Sequence, residues 1–256
     1  MTILLKANNI TKSYQMGNYT FEALKGIDLH VMQGEFVGIM GPSGSGKTTL
    51  LNILSTIDTA SNGEVIISGK NIFQMNDEQL AIFRRNYLGF IFQDYNLLDT
   101  LTIKENIALP LALSQVPTNQ VDHRVLEISK KLNIEHILDQ YPYQVSGGQK
   151  QRCAASRAIV TNPNIIFADE PTGALDSKTA TDFLECMKVL NDENHATILM
   201  VTHDAFAASY CKRVIFIKDG ILYTELHRRD VSRKHFFQQI MDVMSNISGG
   251  DTNDVI

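Results

Sequence analysis

The sequence predicts an α/β fold with a mostly parallel central sheet, an antiparallel β region and an inserted helical subdomain. Strand-like and helix-like stretches alternate along the chain, which is typical of a parallel sheet flanked by helices. A short apolar run at residues 35–40 enters a glycine-rich turn, and a helical pattern begins at Lys47. Between about residues 95 and 160 the pattern becomes helical, and this stretch predicts the inserted subdomain.

Turn residues divide the remaining strands. Asn62 and Gly63 are typical of a tight turn, so a strand is expected to follow them. Residues 218–220 predict another turn, after which a returning antiparallel strand runs through Tyr223. Short apolar runs predict the other strands at residues 64–68, 88–92, 165–168, 197–201 and 213–217.

Two helix starts can be recognised from their capping residues. Thr102, followed three residues later by Glu105, forms a capping-box pattern. Asp176 has the side chain of an N-cap. Apolar residues recur at helical spacing after both positions, and we interpret them as core packing: Val121, Val125, Ile128 and Leu132, and then Ala180, Phe183, Leu184, Met187 and Leu190.

The organisation of the chain is expected to be simple. Residues 1–227 should form one globular domain, with the helical subdomain at about 95–160. Residues 228–256 are expected to form a C-terminal helix around 235–244 and a flexible tail at 248–253.

Composition excludes several classes of function. Lysine and arginine number 23 and aspartate and glutamate 28, so the net charge of −5 argues against nucleic acid as the partner. The three cysteines lie far apart, without a CxxC or Cys/His cluster, which predicts reduced thiols rather than disulfides or a zinc site. We see no secretory signal, and no apolar run approaches the ~18 residues of a spanning helix, so contact with a membrane is expected to need a partner.

A glycine-rich segment matches the phosphate-loop pattern without exception. Its glycines allow the backbone to curl, so that several N–H groups point at phosphates, and the following helix adds its positive end. Lys47 is expected to reach the β- and γ-phosphates, and the Thr48 hydroxyl to hold Mg²⁺. We call these residues the phosphate loop: Gly41, Pro42, Ser43, Gly44, Ser45, Gly46, Lys47 and Thr48, with Thr49 following in the helix.

The apolar strand at residues 165–168 ends in two carboxylates, Asp169 and Glu170. Beside a phosphate loop, the first carboxylate suits Mg²⁺ coordination. The second can orient and deprotonate an attacking water as a general base. Taken alone, this pair is also compatible with an exposed acidic strand end.

A second anion-binding segment lies at residues 145–152, where two glycines precede a predicted helix. One chain does not need two phosphate sites for a single nucleotide. The second makes sense if Ser146, Gly147, Gly148 and Gln149 close over the nucleotide held by another subunit.

This segment resembles the Leu-Ser-Gly-Gly-Gln signature of ABC ATPases, with Val145 at the first position. The resemblance runs from Leu4 to about Tyr223 and includes every catalytic element. It implies the ABC ATPase core of the P-loop NTPases, ATP hydrolysis, the cofactors ATP and Mg²⁺, and an ATP-sandwich dimer with a second copy of the chain.

The resemblance also implies roles for residues outside the loops. Tyr14 resembles the aromatic residue that stacks on adenine, and Gln93 the glutamine that contacts Mg²⁺ and water and signals to the permease. Asp176 lies in a segment that resembles the loop crossing to the other subunit, and His203 resembles the histidine at the γ-phosphate. The implied catalytic residues are therefore Glu170, His203 and Lys47, and the implied metal ligands are Thr48, Gln93 and Asp169.

Three stretches refine the resemblance, at residues 50–58, 88–98 and 172–178, together with the late run at 207–220. They look like those of bacterial bacitracin-type transporters that confer resistance to antimicrobial peptides. Such ATPases serve one multi-spanning membrane permease with a large extracellular domain, and often signal with a sensor histidine kinase. The resemblance thus implies these partners and a peripheral location at the cytoplasmic face of the cell membrane.

The lipoprotein-release and macrolide-export transporters are the nearest alternative, because they share the Pro42 phosphate loop and Gly173. A non-transport ABC protein would usually carry a long coiled-coil insertion or a second ATPase, for which 256 residues leave no room. A P-loop kinase or GTPase would lack both the Ser146 signature and His203.

Overall fold

The computed structural model describes residues 2–17 and 19–248 and divides the chain into two compact units. The first unit comprises Met1–Met75 and Leu199–Ile256, and the second comprises Asn76–Ile198. The predicted α/β class with parallel and antiparallel strands is confirmed. The predicted boundaries at 1–227, 95–160 and 228–256 stay predictions. The flexible tail was predicted at 248–253, but Ser248 is the last residue of a helix, and residues 249–253 lie outside the described residues.

The first unit contains most of the strands. β1 (Ile3–Met16), β2 (Tyr19–Met32), β4 (Asn62–Ile67) and β5 (Lys70–Asn71) form an antiparallel sheet in the order β2-β1-β4-β5. β10 (Ile221–His227), β9 (Arg213–Lys218), β3 (Phe36–Met40) and β8 (Ile198–Val201) follow one another in a second sheet. β3 pairs parallel with β9 and is buried along its whole length, as expected of a central parallel strand.

The helices of the first unit are α1 (Lys47–Leu54), α7 (Ala205–Ala208) and α8 (Arg233–Ser248), with a 3₁₀ turn at Ile72–Gln74. α8 buries Phe236 and Ile240 completely, and the guanidinium carbon of Arg233 lies 4.2 Å from the ring centroid of Tyr210. The helix expected around 235–244 is thus longer and packed on the first unit.

The second unit is mainly helical. Its strands β6 (Leu88–Ile91) and β7 (Ile165–Asp169) pair parallel. Its helices are α2 (Asp77–Tyr87), α3 (Ile103–Leu113), α4 (Thr118–Lys131), α5 (Gly147–Ile159) and α6 (Ser177–Asn194), with 3₁₀ turns at Glu135–Ile137 and Pro142–Gln144. The capping box of Thr102 and Glu105 and the N-cap Asp176 are both present, as predicted.

Two local predictions were wrong. Asn62 and Gly63 belong to β4 rather than to a turn, and the turn lies after β4, at Ser68 and Gly69. Gly63 is needed there because a β-carbon on it would approach the Asn9 carbonyl oxygen to 2.5 Å. The two glycines after Ser146 do not precede a helix but form the first turn of α5.

The three cysteines are free thiols, and Cys153 and Cys211 are buried. Burial raises the pKa of the Cys153 thiol to about 12. None of the helices in the described ranges is long and apolar enough to cross a membrane.

Candidate functional site

The phosphate loop connects the end of β3 to the start of α1 in the first unit. Gly46 precedes α1 in the left-handed conformation (φ 99°), where a β-carbon would lie 2.7 Å from the Ala23 carbonyl oxygen. Gly41 is more crowded still, because a β-carbon on it would collide with the Ile217 carbonyl oxygen. Gly46 has no side chain to cap α1, so no side-chain oxygen at this position competes with an anion for the N-terminus of the helix.

Two side chains of the phosphate loop are buried. Lys47 is 8% exposed, and its Nζ donates hydrogen bonds to the carbonyl oxygens of Gly41 (3.0 Å) and Pro42 (2.8 Å). The Ser45 hydroxyl is buried without a hydrogen-bond partner among the described residues. Thr48 is exposed and Thr49 is partly exposed. An unsatisfied hydroxyl, a buried ammonium group and a helix N-terminus without a side-chain cap fit a phosphate chain.

Tyr14 lies near the end of β1 and is 38% exposed. Its hydroxyl donates to Oδ2 of Asp58 at 3.0 Å, while Oδ1 of Asp58 accepts from Lys12 Nζ at 2.7 Å. Burial raises the pKa of the Asp58 carboxyl, but hydrogen bonds from Lys12, the Thr59 N–H and Tyr14 outweigh this effect, so its pKa lies below the ordinary value. The carboxylate is therefore ionised at neutral pH.

His203 follows β8 in the first unit and is exposed. Next to it, the Thr202 N–H donates to the carbonyl oxygen of Ile39 in β3, at 3.1 Å. Because β3 leads directly into the phosphate loop, this bond ties the segment carrying His203 to the strand carrying the loop.

The second unit holds Asp169, Glu170 and Gln93 at neighbouring strand ends, because Ile91 of β6 pairs with Ala168 of β7. A β-carbon on Gly173 would lie 3.2 Å from the side-chain amide of Gln93 and 3.3 Å from the Glu170 carbonyl oxygen. The predicted Gln93 therefore lies next to the loop of the predicted base. Glu170 itself has a φ of 45°, in the left-handed region.

Gln151 fastens these two loops to α5, although sequence reasoning did not identify it. It is 0% exposed, and its Nε2 donates to the carbonyl oxygens of Pro171 (2.6 Å) and Phe92 (3.3 Å). These carbonyls directly follow Glu170 and directly precede Gln93. The signal in the sequence was a long polar side chain on the buried face of a predicted helix, which usually has a buried partner.

The signature segment begins α5 with a capping box. The Ser146 Oγ accepts from the Gln149 N–H (3.3 Å), and Gln149 Oε1 accepts from the Ser146 N–H (2.8 Å). A serine hydroxyl that accepts one hydrogen bond can still donate its proton to a phosphate oxygen.

Gly148 is fixed in this segment by close packing against α6, because a β-carbon on it would collide with the Thr179 methyl group. The Thr179 hydroxyl donates to Asp176 Oδ2 at 2.6 Å. Hydrogen bonds from the Thr179 side chain and backbone, and from the Lys178 N–H, lower the pKa of Asp176, which caps α6. The structure thus brings the predicted Gly148 and Asp176 together through Thr179.

The predicted site residues therefore form two constellations. The first unit carries the phosphate loop, Tyr14 and His203, and the second carries the carboxylates, Gln93, the signature and Asp176. Within the described ranges, His, Cys, Asp and Glu side chains form no group of three or more that could bind a metal by themselves. The predicted ligands Thr48, Gln93 and Asp169 are instead oxygen donors of the kind that Mg²⁺ prefers alongside phosphate oxygens.

Such a phosphate loop, strand-end carboxylates and helix-capping signature define an ABC-type ATPase. Residues 24–173 match the family described as ABC transporter, and the chain belongs to that family as an ATP-binding subunit.

Several relatives cover nearly the whole chain, among them two bacterial proteins. The bacitracin export ATP-binding protein BceA of Halalkalibacterium halodurans is 55% identical over 98% of this chain and 99% of its own length. The ABC transporter ATP-binding protein YxdL of Bacillus subtilis is 50% identical over 100% of this chain and 98% of its own.

A solved structure is also similar, with a TM-score of 0.81 and 42% identity over 88% of this chain and 99% of the other. It is the dimeric structure of a post-hydrolysis state of the ATP-binding cassette MJ0796 bound to ADP and Pi. MJ0796 comes from Methanocaldococcus jannaschii.

Proposed function

We propose that this chain is the ATP-hydrolysing subunit of a bacterial transporter that confers resistance to antimicrobial peptides of the bacitracin or lantibiotic type. The observation that carries the proposal is the 55% identity to a bacitracin export protein, which extends over 98% of this chain and 99% of the relative. The matched region includes both constellations of site residues. A macrolide-export transporter is the second candidate, supported by 41% identity over 89% of this chain but only 35% of that relative.

We propose that the phosphate loop binds the β- and γ-phosphates of ATP through its N–H groups and Lys47, and that Tyr14 stacks on adenine. Mg²⁺, held by Thr48, Gln93 and Asp169, would neutralise phosphate charge. Glu170 would take a proton from the attacking water, and His203 would contact the γ-phosphate. Lys47 already points at the loop, and in the presence of ATP its ammonium group would exchange two carbonyl partners for phosphate oxygens.

The partners of the chain follow from the same proposal. A second copy would place Ser146, Gly147, Gly148 and Gln149 on the ATP of its neighbour, and Asp176 would lie close to that contact. The dimer reported for MJ0796 supports this arrangement. A multi-spanning permease with a large extracellular domain would hold the dimer at the cytoplasmic face of the membrane, and a sensor histidine kinase would act through the permease.

Two substitutions separate ATP binding from ATP hydrolysis. Lys47→Ala should abolish ATP binding, because the loop loses its ammonium group. Glu170→Gln should bind ATP and hydrolyse it at least ~10²-fold more slowly, as expected for the loss of a general base. Nucleotide binding by titration and phosphate release by the purified subunit measure both effects.

The outcome that contradicts the mechanism is full turnover by Glu170→Gln. The peptide assignment is tested separately, by deleting the gene for this chain in its host and measuring the minimal inhibitory concentrations of bacitracin and of a macrolide. Increased sensitivity to the macrolide alone would favour the second candidate.

A further inference from the structure

We propose that Lys12 and Asp58 are positioning residues that hold the Tyr14 ring in place for the nucleotide base. The inference rests on the proposed function, in which the phosphate loop binds ATP and Tyr14 stacks on adenine. Lys12, Asp58 and Tyr14 all lie in the first unit, and we call them the base clamp.

The base clamp is a closed set of contacts around one carboxylate. Asp58 accepts from the Tyr14 hydroxyl with one oxygen and from Lys12 Nζ with the other, at 3.0 and 2.7 Å. Lys12 Nζ also donates to the Thr59 carbonyl oxygen at 2.6 Å. The Lys12 side chain is only 11% exposed, so its charge needs these partners.

Lys12 also acts directly on the tyrosine ring. Its Nζ lies over the ring, 4.9 Å from the centroid, which is within the range of a cation–π contact. One face of the ring is therefore covered by Lys12, while Tyr14 as a whole is 38% exposed. We infer that the base stacks on the face opposite Lys12.

The segment that carries Asp58 also connects the base clamp to the phosphate loop. The Asp58 N–H donates to the carbonyl oxygen of Asn52 in α1, at 3.1 Å. Ser61 makes two hydrogen bonds to β1. Its N–H donates to the Thr11 carbonyl oxygen (2.8 Å), and its Oγ accepts from the Ser13 N–H (3.0 Å). Residues 58–61 therefore connect the helix that begins at Lys47 with the strand that presents Tyr14.

This connection matters because one nucleotide must contact both the phosphate loop and Tyr14. The phosphates bind at the start of α1, and the base stacks on Tyr14, so the distance between the two is fixed before ATP arrives. An exposed tyrosine without a partner would lose rotamer entropy on binding, and the base clamp removes that cost in advance. The contribution of the clamp should appear in the affinity for the base and not in the affinity for the phosphates.

The test compares ADP with pyrophosphate, which shares the phosphates but lacks the base. The double variant Lys12→Met/Asp58→Leu removes both charges together, so that neither is left buried alone. The Kd of ADP should rise by about 2- to 12-fold, the equivalent of immobilising one side chain, whereas the Kd of pyrophosphate should stay unchanged. Equilibrium titration of the full chain in the presence of Mg²⁺ measures both.

Three further variants separate the possible explanations. Tyr14→Phe keeps the ring but frees it from Asp58, so it should weaken ADP binding alone, and its effect should not add to that of the double variant. Tyr14→Ala should weaken ADP binding more strongly, since it removes the stacking surface itself. Lys104→Met/Asp122→Leu removes an exposed ion pair of 2.8 Å in the second unit and should change neither Kd.

Each outcome decides between the two proposals. If Tyr14→Ala leaves the Kd of ADP unchanged, the proposed stacking fails and the base clamp fails with it. If Tyr14→Ala weakens ADP binding but Tyr14→Phe and the double variant do not, only the base clamp is overturned. A double variant that weakens pyrophosphate as much as ADP would show that the ion pair merely supports the phosphate loop.

Discussion

At the scale of single residues, hydrogen bonds to loop carbonyls organise the candidate site of the second unit. Gln151 holds the residues next to Glu170 and Gln93, and Arg157 donates to the carbonyl oxygens of Tyr95 and Asn96 at 2.9 and 2.6 Å. The proposed roles of Glu170 and Gln93 require that both be held closely, because small misplacements of catalytic groups cost large factors in rate. These hydrogen bonds, of which the one from Gln151 to Pro171 is buried, therefore serve the proposed catalytic arrangement as well as the fold.

Gln151→Met should lower kcat while leaving the KM for ATP nearly unchanged. The thioether fills the same space but leaves the Phe92 and Pro171 carbonyl oxygens without their donor, so the loops of Gln93 and Glu170 can shift. We expect a fall in kcat of about 10- to 100-fold. Steady-state ATPase assays of the purified subunit, with its Tm measured in parallel, test this expectation.

Ser156→Ala is the matched control, since Ser156 lies on the same helix and is also 0% exposed. Its hydroxyl is buried without a hydrogen-bond partner in the described part of the chain, so its removal breaks no contact to a loop. If Ser156→Ala lowered kcat as much as Gln151→Met, the effect would reflect helix packing and not the two loops.

Residues in contiguous motifs could be predicted from the sequence, and residues that act at a distance could not. The phosphate loop and the signature depend on backbone conformation, which local glycines and capping residues reveal. Lys12 and Asp58 are 46 positions apart, and the sequence shows neither the ion pair nor the tyrosine hydroxyl that joins it. The roles of Glu170, His203 and the metal ligands remain proposals, because they depend on a bound nucleotide.

At the scale of elements, the same contrast holds. The buried strands β3, β7 and β9 were predictable because continuous apolar runs are typical of a central parallel sheet. β1 was missed because register shifts interrupt its pairing with β2 and the alternation of its side chains. β2 was missed although its residues 27–31 alternate between buried and exposed positions, as is typical of a half-buried strand. α2 was also missed: only Phe83 of its 11 residues is buried, so it has almost no apolar face.

Substitutions in α8 measure how much the packing of this helix stabilises the first unit. Phe236→Ala deletes a fully buried ring and should lower the free energy of unfolding by about 3–5 kcal/mol. The neighbouring Phe237 is partly exposed, so Phe237→Ala should cost clearly less. Urea denaturation of the two variants compares them, and equal losses would mean that α8 does not depend on Phe236 for its packing.

At the scale of the whole molecule, the signature predicts an assembly of two chains. Mixing Lys47→Ala chains with Ser146→Arg chains should restore nucleotide occlusion in the assembled complex, because a mixed dimer keeps one intact pair of phosphate loop and signature. Either variant alone should occlude none. A filter assay for trapped labelled ATP measures the occlusion. If the mixture occluded no more ATP than either variant alone, the result would count against action across the interface.

The contact with the permease is predicted at the segment after Gln93. Leu98 is 46% exposed, and Tyr95, Leu97 and Leu101 are partly exposed, while the buried Asn106 donates to the carbonyl oxygens of Leu98 and Leu101 at 3.0 and 3.1 Å. These hydrogen bonds fix the backbone of the segment while its apolar side chains stay at least partly exposed, which suits a hydrophobic contact with a helix of a membrane protein.

Replacing Tyr95 and Leu98 with serine should weaken co-purification with the permease and abolish peptide resistance, with nearly normal ATPase activity of the isolated subunit. Leu98→Ser alone is the cleaner variant, because the Tyr95 hydroxyl lies 3.0 Å from where a β-carbon on Gly147 would be. Val189→Ser, which also changes an exposed apolar residue, should alter nothing. Unchanged resistance in Leu98→Ser would place the contact elsewhere.

The backbone of Glu170 implies a trade-off between stability and activity. Its φ of 45° is unfavourable for a glutamate, whereas asparagine adopts this conformation readily. Glu170→Asn should therefore stabilise the chain by up to about 1 kcal/mol, a rise in Tm of about 2–4 °C, although it should slow hydrolysis as strongly as Glu170→Gln. Glu170→Gln has no such preference and should not gain stability, so differential scanning calorimetry would distinguish the two variants. In that case the position retains its glutamate for chemistry at the expense of the fold.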